Sequence, residues 1–307
     1  MLFNFASADA SALDGLVTRN DNGRWGVDSE YGRLTDVMLS APPHLELVPC
    51  NAVSIENHLS GITCSSDVAA EQHSNLVLAL EAEGVRCHLV PPVEGLADLS
   101  FTRDATLMSP WGLIALSPAV EHRLAEVAHI RASVAGWNVP LFGAIEHGRI
   151  EGGDVCLLRP GIVAIGYSGQ RTDEAGARAL AHIFEERGWR AILTRFHPRH
   201  LHLDTIFTLV DRDRAVACVE ALDDGFLLEM QALGIELVPA TFAEARKLGA
   251  NLLSLGGGRL LSPTGNGRLN SVLEELGYRV ATVEIDQFTR CGGGMHCLTM
   301  PLSRLPG

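Results

Sequence analysis

The chain has 307 residues, 47% apolar and 20% charged, with a formal net charge of −13. That composition supports a large buried core and argues against disorder, and the acidic balance without any Lys/Arg cluster argues against nucleic acid as a partner. Seven Cys occur in an odd, irregular set with no CxxC, which disfavours a zinc ribbon or a secreted disulfide framework. MLFNFASADASALDG has no basic n-region or apolar h-region, and no apolar run approaches the ~18 residues of a membrane helix. The expectation is a cytoplasmic protein without a membrane partner.

In chain order, LTDVMLSAP (34–42) reads as an apolar strand. SDVAAEQHSNLVLALEAEG (66–84) has helical apolar spacing, a Ser-Asp start and a closing Gly, and the short strand VRCHLVP follows it. ATLMSPWGLIALSP (105–118) is a strand, a turn and a second strand, and DVCLLRPGIVAIGYS (154–168) repeats that form. TDEAGARALAHIFEERG (172–188) is a helix that leads to the strand WRAILTR. DTIFTLVDRDRAVACVEAL (204–222) is a third hairpin, followed by the strand IELVPA and the helix TFAEARKLG (241–249). NLLSLGGGRLLSPTG (251–265) is a fourth, followed by the helix GRLNSVLEELG (267–277) and the strand YRVATVEI. HCLTMPLSR (296–304) ends the series as a single strand.

The four hairpins begin at 105, 154, 204 and 251, so they are 49, 50 and 47 residues apart. Periods of that size point to radial repeats. Four or five units fill the chain, with the first and last incomplete. Joining the two ends into one unit closes a ring and removes open sheet edges. The fold class is α/β in a single domain over 1–307, since no Pro/Ser-rich linker interrupts it. A two-domain doubly wound fold is the alternative.

Four polar clusters lead into strands at equivalent places: FTRD (101–104), EGGD (151–154), HLHLD (200–204) and GGGMHC (292–297). In a ring of repeats these converge at one end of the axis. Cys297 follows a glycine loop that lets backbone approach a ligand, so it is the candidate nucleophile; a buried structural thiol is the alternative. His202 is the candidate general base. With Asp204 two residues on, strand alternation would aim both side chains at one pocket. His197, His200 and His202 raise a metal site, but no acid stands at a familiar ligand spacing. Asp104, Glu151 and Asp204 lie in apolar company, where a carboxylate needs a cation; a planar guanidinium with five donors fits several carboxylates at once. Caps and loop amides are the ordinary fate of such acids. Arg103 and Asp154 read as structural partners, and the glycines 256–258 as a hairpin turn.

FTRD, IEGGD, HLHLDTIFTLVD and GGGMHCLTMPLSR, in that order, resemble the guanidino-group-modifying superfamily of arginine deiminases, dimethylarginine dimethylaminohydrolases and amidinotransferases. The resemblance runs from GVDSEYGRLTDVML (26–39) to the last motif. It implies a five-bladed α/β propeller, the pentein fold, with pseudo-fivefold repeats. It implies Cys297 as nucleophile, His202 as acid and base, and Asp104, Glu151 and Asp204 as acids that support substrate and catalysis. Arg123 and Arg171 match the family's clamp for a substrate α-carboxylate. No cofactor is implied, the partner is a small guanidino compound, and a homo-oligomer is compatible with it.

The subfamily signals disagree. FTRD and HLDTIFTLVD are closest to the deiminases, as is Arg103, yet the chain lacks room for the helical module those enzymes usually carry. Asp98, six residues before Asp104, resembles an acid of the dimethylarginine hydrolases, where deiminases tend to have Asn. The expected reaction is hydrolysis of the guanidino group of arginine or an N-methylated arginine to citrulline. An amidinotransferase or an arginine dihydrolase on the same scaffold are the alternatives. A propeller used only for binding would lack the nucleophile or the base, and both are present.

Overall fold

The computed structural model describes residues 24–307. The segment MLFNFASADASALDG, read above for a leader, lies outside the described residues.

The apolar runs pair as the hairpin reading requires. Leu107 faces Ile114 and Met108 faces Leu113 in antiparallel register, and all four are buried. These strands are apolar on both faces, as strands covered on both sides are. The described strands form five three-stranded sheets. In chain order they are β1 (Arg33–Ser40) and β2 (Arg86–Val90); β3 (Thr106–Ser109), β4 (Gly112–Ala115) and β5 (Leu141–Ala144); β6 (Val155–Arg159), β7 (Ile162–Tyr167) and β8 (Arg190–Arg195); β9 (Phe207–Asp211), β10 (Arg214–Ala217) and β11 (Glu236–Pro239); β12 (Leu253–Gly256), β13 (Arg259–Pro263) and β14 (Arg279–Val283); and β15 (Met300–Leu305). Four of these sheets have the second strand of a hairpin in the centre, antiparallel to one neighbour and parallel to the other. β15 completes the sheet of β1 and β2, pairing antiparallel with β1. The two ends of the described chain therefore share a unit, and the fold is a five-bladed α/β propeller.

A helix precedes the outer parallel strand of every sheet: Ser66–Ala82, Leu124–Gly136, Glu174–Glu185, Asp224–Ala232 and Gly267–Glu275. The second and fourth of these are additions to the sequence reading. Leu124–Gly136 starts from Arg123 with no side-chain cap, so it lacks the usual start signal. Asp224–Ala232 is nine residues long with Gly225 in its first turn. TFAEARKLG forms a shorter helix than expected, Phe242–Arg246, started by a capping box between Thr241 and Glu244. Two further helices, Ala52–Leu59 and Asp286–Cys291, pack on each other beside the site.

One turn recurs five times. Asp104 N donates to Phe101 O, Asp154 N to Glu151 O, Thr205 N to His202 O, Asn251 N to Leu248 O and Thr299 N to His296 O, at 3.0–3.3 Å. Each turn stands immediately before the first strand of its hairpin or before β15. Successive turns are joined around the axis. Arg103 N donates to Cys297 O, Gly152 N to Asp104 O, and Met295 N to Asn251 O. Leu203 N donates to an Asp154 carboxylate oxygen, and Asn251 Nδ2 donates to Asp204 O. The links run head to tail and close. Buried backbone groups in these irregular turns are thereby satisfied, and the side chains they carry are fixed around one point.

Candidate active site

Five turns bring Asp104, Glu151, His202, Asp204, Asn251, His296 and Cys297 together. HLHLD does not continue as a strand. Leu203–Thr205 is a tight helical turn, so strand alternation does not place His202 and Asp204 as expected. Asp204 instead accepts from His296 Nδ1 at 2.8 Å and lies 3.5 Å from the Cys297 thiol, which donates to it. His202 Nε2 donates to Glu151 at 2.8 Å, and its Nδ1 lies 3.8 Å from Asp104. Glu151 therefore partners the imidazole directly, and Asp204 partners the segment that carries the thiol.

Charge follows from this arrangement. Burial opposes ionisation of Glu151, but Arg171 and then His202 hold its carboxyl well below the usual carboxylate range. Burial also opposes charge on His202, yet Asp104, Cys297 and Glu151 hold the imidazole well above its usual value. For Asp204, burial is outweighed by His296 and His202, and the carboxyl is lowered. Burial, helped by Asp204, pushes the Cys297 thiol up to about 12. At neutral pH the resting site holds a protonated thiol beside an imidazolium. The thiolate is the nucleophilic form, so alkylation of Cys297 by iodoacetamide should accelerate about tenfold per pH unit from about pH 6 to 9. A plateau near neutrality would show a resting thiolate instead.

Two arginines already lie on the acids. Arg171 Nη1 donates to both oxygens of Glu151 at 3.2 and 2.8 Å, and its Nη2 reaches the Cys50 carbonyl and thiol, each at 3.3 Å. Arg123 Nη1 donates to Asp104 at 2.6 Å, its Nε and Nη2 donate to Glu126, and Nη2 also reaches Phe101 O at 3.0 Å. Both arginines read as clamp residues are thus turned inward onto carboxylates. Asp98 accepts from His122 Nε2 at 2.6 Å and lines the same crevice as Cys50, Asp104, Arg171 and Cys297. That crevice has ≈ 20 Å³ of free space, room for about one water and far too little for a guanidino compound. A hollow of ≈ 380 Å³ adjoins it through Asn51, Leu201 and Gly292.

The glycines of both motifs are required by close approach. A Cβ on Gly153 would stand 2.6 Å from His202 Nδ1. Gly292 has φ +98°, and a Cβ there would meet Asn51 at 2.5 Å. Gly153→Ala should displace the imidazole and lower turnover at least tenfold, since reacting groups tolerate little misplacement; unchanged turnover would remove His202 from the chemistry.

Arg103 and Asp154 have the structural partners expected of them. Arg103 Nε donates to Thr299 O at 3.0 Å and Nη1 to Glu30 at 3.2 Å, which anchors the segment carrying Cys297. Asp154 accepts from Leu203 N at 2.8 Å. His197 and His200 belong to neither of the two described groups with donor atoms close enough for a cation, which are Asp104–Glu151–His202 and Cys50–Asp98–His122.

Asn251 was missed by sequence reasoning. Its Nδ2 donates to Cys297 Sγ at 3.3 Å, and its Oδ1 accepts from the amides of His296 and Cys297. Glu30 was missed too, and it stands between Arg103 and His296. A signal for Asn251 existed: it is the first residue of the fourth hairpin, equivalent to the other polar clusters.

Residues 51–236 and 232–304 match the arginine deiminase family. The uncharacterized protein YkgA of Bacillus subtilis (strain 168) is 29% identical over 276 residues, covering 90% of this chain and 94% of that one. The arginine deiminase of Mycobacterium marinum is 29% identical over 253 residues, covering 70% of this chain, and the match spans only 62% of its own length. Two solved structures share the fold. DDAH from Pseudomonas aeruginosa, complexed with citrulline, has TM-score 0.74 at 23% identity, covering 87% of this chain and 99% of that one. The N-terminal domain of ArgZ, a cyanobacterial arginine dihydrolase, has TM-score 0.77 at 20% identity, covering 88% and 99%.

Proposed function

The chain belongs to the arginine deiminase family, and we propose that it hydrolyses the guanidino group of arginine or an N-methylated arginine to citrulline, with Cys297 as nucleophile. One observation carries the reading. Asp104, which lines the crevice of Cys297, and Glu151, which holds His202, already hold guanidinium groups, those of Arg123 and Arg171. A pair of acids that accepts guanidinium nitrogens from two arginines of its own chain can accept those of a substrate.

The substrate guanidinium displaces Arg171 from Glu151 and sits between Glu151 and Asp104. Arg171, released, turns to the substrate α-carboxylate, with Arg123 as its partner. Arrival of the cation beside Cys297 lowers the cost of the thiolate, and the thiol proton passes to solvent because His202 already carries one. Sulfur attacks the guanidinium carbon, and a C–S bond forms as the carbon becomes tetrahedral. His202, held protonated by Asp104 and Glu151, gives its proton to the departing amine as the C–N bond breaks. A thiouronium on Cys297 remains. His202, now neutral, takes a proton from water, whose oxygen attacks the same carbon. The C–S bond breaks and leaves a ureido product, citrulline, and the thiol. Asp204 and Asn251 hold the sulfur and its backbone in line.

Mass spectrometry of products from L-arginine, its N-methylated forms and agmatine tests the reading. Citrulline with ammonia or a methylamine is expected. Ornithine with two ammonia would assign a dihydrolase, and transfer of the amidino group to an added amine would assign a transferase. No product from any of them would overturn it. Agmatine lacks the α-carboxylate and should be turned over poorly.

A further inference from the structure

The mechanism uses one cysteine of seven. Two of the others lie together: the Cys64 and Cys291 sulfurs are 3.2 Å apart although 227 residues separate them in sequence. A disulfide requires ≈ 2.05 Å, so an approach of roughly 1 Å would complete the bond. The two thiols differ in access. Cys64 is half-buried, in the loop between the helices Ala52–Leu59 and Ser66–Ala82, and Cys291 is buried. The hydrogen bond with Cys291, and then Arg290, lower the Cys64 thiol against the effect of burial. An accessible thiol of lowered pKa beside a buried second one is the usual division between an attacking and a resolving cysteine.

The pair is mechanically tied to the site. Cys291 ends the helix Asp286–Cys291 and lines the crevice of Cys297. Its carbonyl accepts from Asn51 Nδ2 at 2.9 Å. Gly292 follows, and then the tight run through Gly293 and Gly294, where a Cβ would strike Phe101 and Asn251. A shift at Cys291 thus reaches Asn251 and Cys297 through contacts with no slack.

We propose that Cys64 and Cys291 form a dithiol modification site that a peroxide converts to a disulfide, displacing the glycine segment and suppressing turnover at Cys297. The suppression rests on the function proposed above; formation of the disulfide does not. Cys64 thiolate attacks one peroxide oxygen, the O–O bond breaks, and Cys64 becomes a sulfenic acid as water or an alcohol leaves. The Cys291 sulfur then attacks Cys64 sulfur, the S–O bond breaks, and water leaves. Two thiols lose two electrons and two protons in all, and the peroxide gains both. Cys297, with its thiol pushed up to about 12, reacts more slowly than Cys64.

Stoichiometric hydrogen peroxide on the full chain tests this, with remaining thiols alkylated and peptides mapped by mass spectrometry. Because Cys291 and Cys297 share a tryptic peptide, mapping is done in Cys297→Ser protein as well as in the parent. A peptide linking Cys64 to Cys291 is expected, absent from Cys64→Ser and retained in Cys50→Ser. Turnover of the parent should fall tenfold or more and return with dithiothreitol, while Cys64→Ser keeps its turnover at the same dose. Both thiols remaining alkylatable, or Cys64 linked elsewhere, would overturn the site. Full linkage with unchanged turnover would overturn its coupling to Cys297. If no guanidino substrate is turned over at all, the function reading fails and the linked peptide alone decides the site.

Discussion

Cys297→Ser is expected to fold as the parent does and to lose citrulline formation by ~10⁴-fold or more, since loss of an activated nucleophile removes the covalent path entirely. A serine hydroxyl is a poorer nucleophile, and the site offers no base strong enough to ionise it. His202 is held in its protonated form by Asp104 and Glu151, so at rest it is an acid. The thiol escapes this difficulty because an incoming guanidinium can stabilise its anion; an alkoxide would need far more. Substrate binding should survive, since Asp104 and Glu151 are untouched and the loss of one sulfur opens little space. The measurement is product formation with calorimetric binding on the same preparation. Turnover within tenfold of the parent, with binding retained, would remove Cys297 from the reaction and leave the acids as a binding site only.

The legible parts of the fold were those where local and tertiary signals agree. Leu107–Met108 and Leu113–Ile114 are apolar on either side of a turn, so the hairpin could be read directly. Its repetition at near-equal spacing gave the ring. The helix Leu124–Gly136 was not legible because it has no capping side chain; tertiary packing of Ile130 and Val134 stabilises it instead. HLHLD alternates apolar and polar residues like a strand, but the recurring turn overrides the pattern and sends Asp204 to His296 rather than His202. The states of Arg123 and Arg171 were beyond sequence altogether. Both were visible as cations suited to a carboxylate, but which carboxylate depends on which turns meet at the axis. Cys64 and Cys291 show the same limit more sharply, since nothing local links residues 227 apart.

Arg171→Ala should destabilise the protein by about 1.5–3 kcal/mol, the worth of hydrogen bonds to a charged group, since Glu151 stays buried but keeps His202 to hold its charge. Glu151 is fully buried, and Arg171 is the largest influence lowering its carboxyl against burial. Glu151→Gln in the same background should cost less than it does in the parent, because the charge Arg171 offset is gone; two independent losses that simply add would contradict the pairing. The sign of the pH dependence follows. A carboxyl depressed in the folded protein contributes stability above its unfolded value of about 4.3, lost as pH falls through the lower folded value. Arg171→Ala raises that folded value, so its deficit should be full at neutral pH and shrink in acid, as urea titrations at several pH values would read. Kinetics then separate holding Glu151 from holding substrate. If Arg171 turns to the α-carboxylate, its loss should raise KM for arginine about 10–100-fold, the worth of hydrogen bonds to a charged group, and leave KM for agmatine nearly unchanged. Equal rises for both would confine Arg171 to Glu151. The same guanidinium would then guard the acid in the resting state without reading the substrate, and selection of amino acids over simple amines would fall to Arg123, which lines the same crevice.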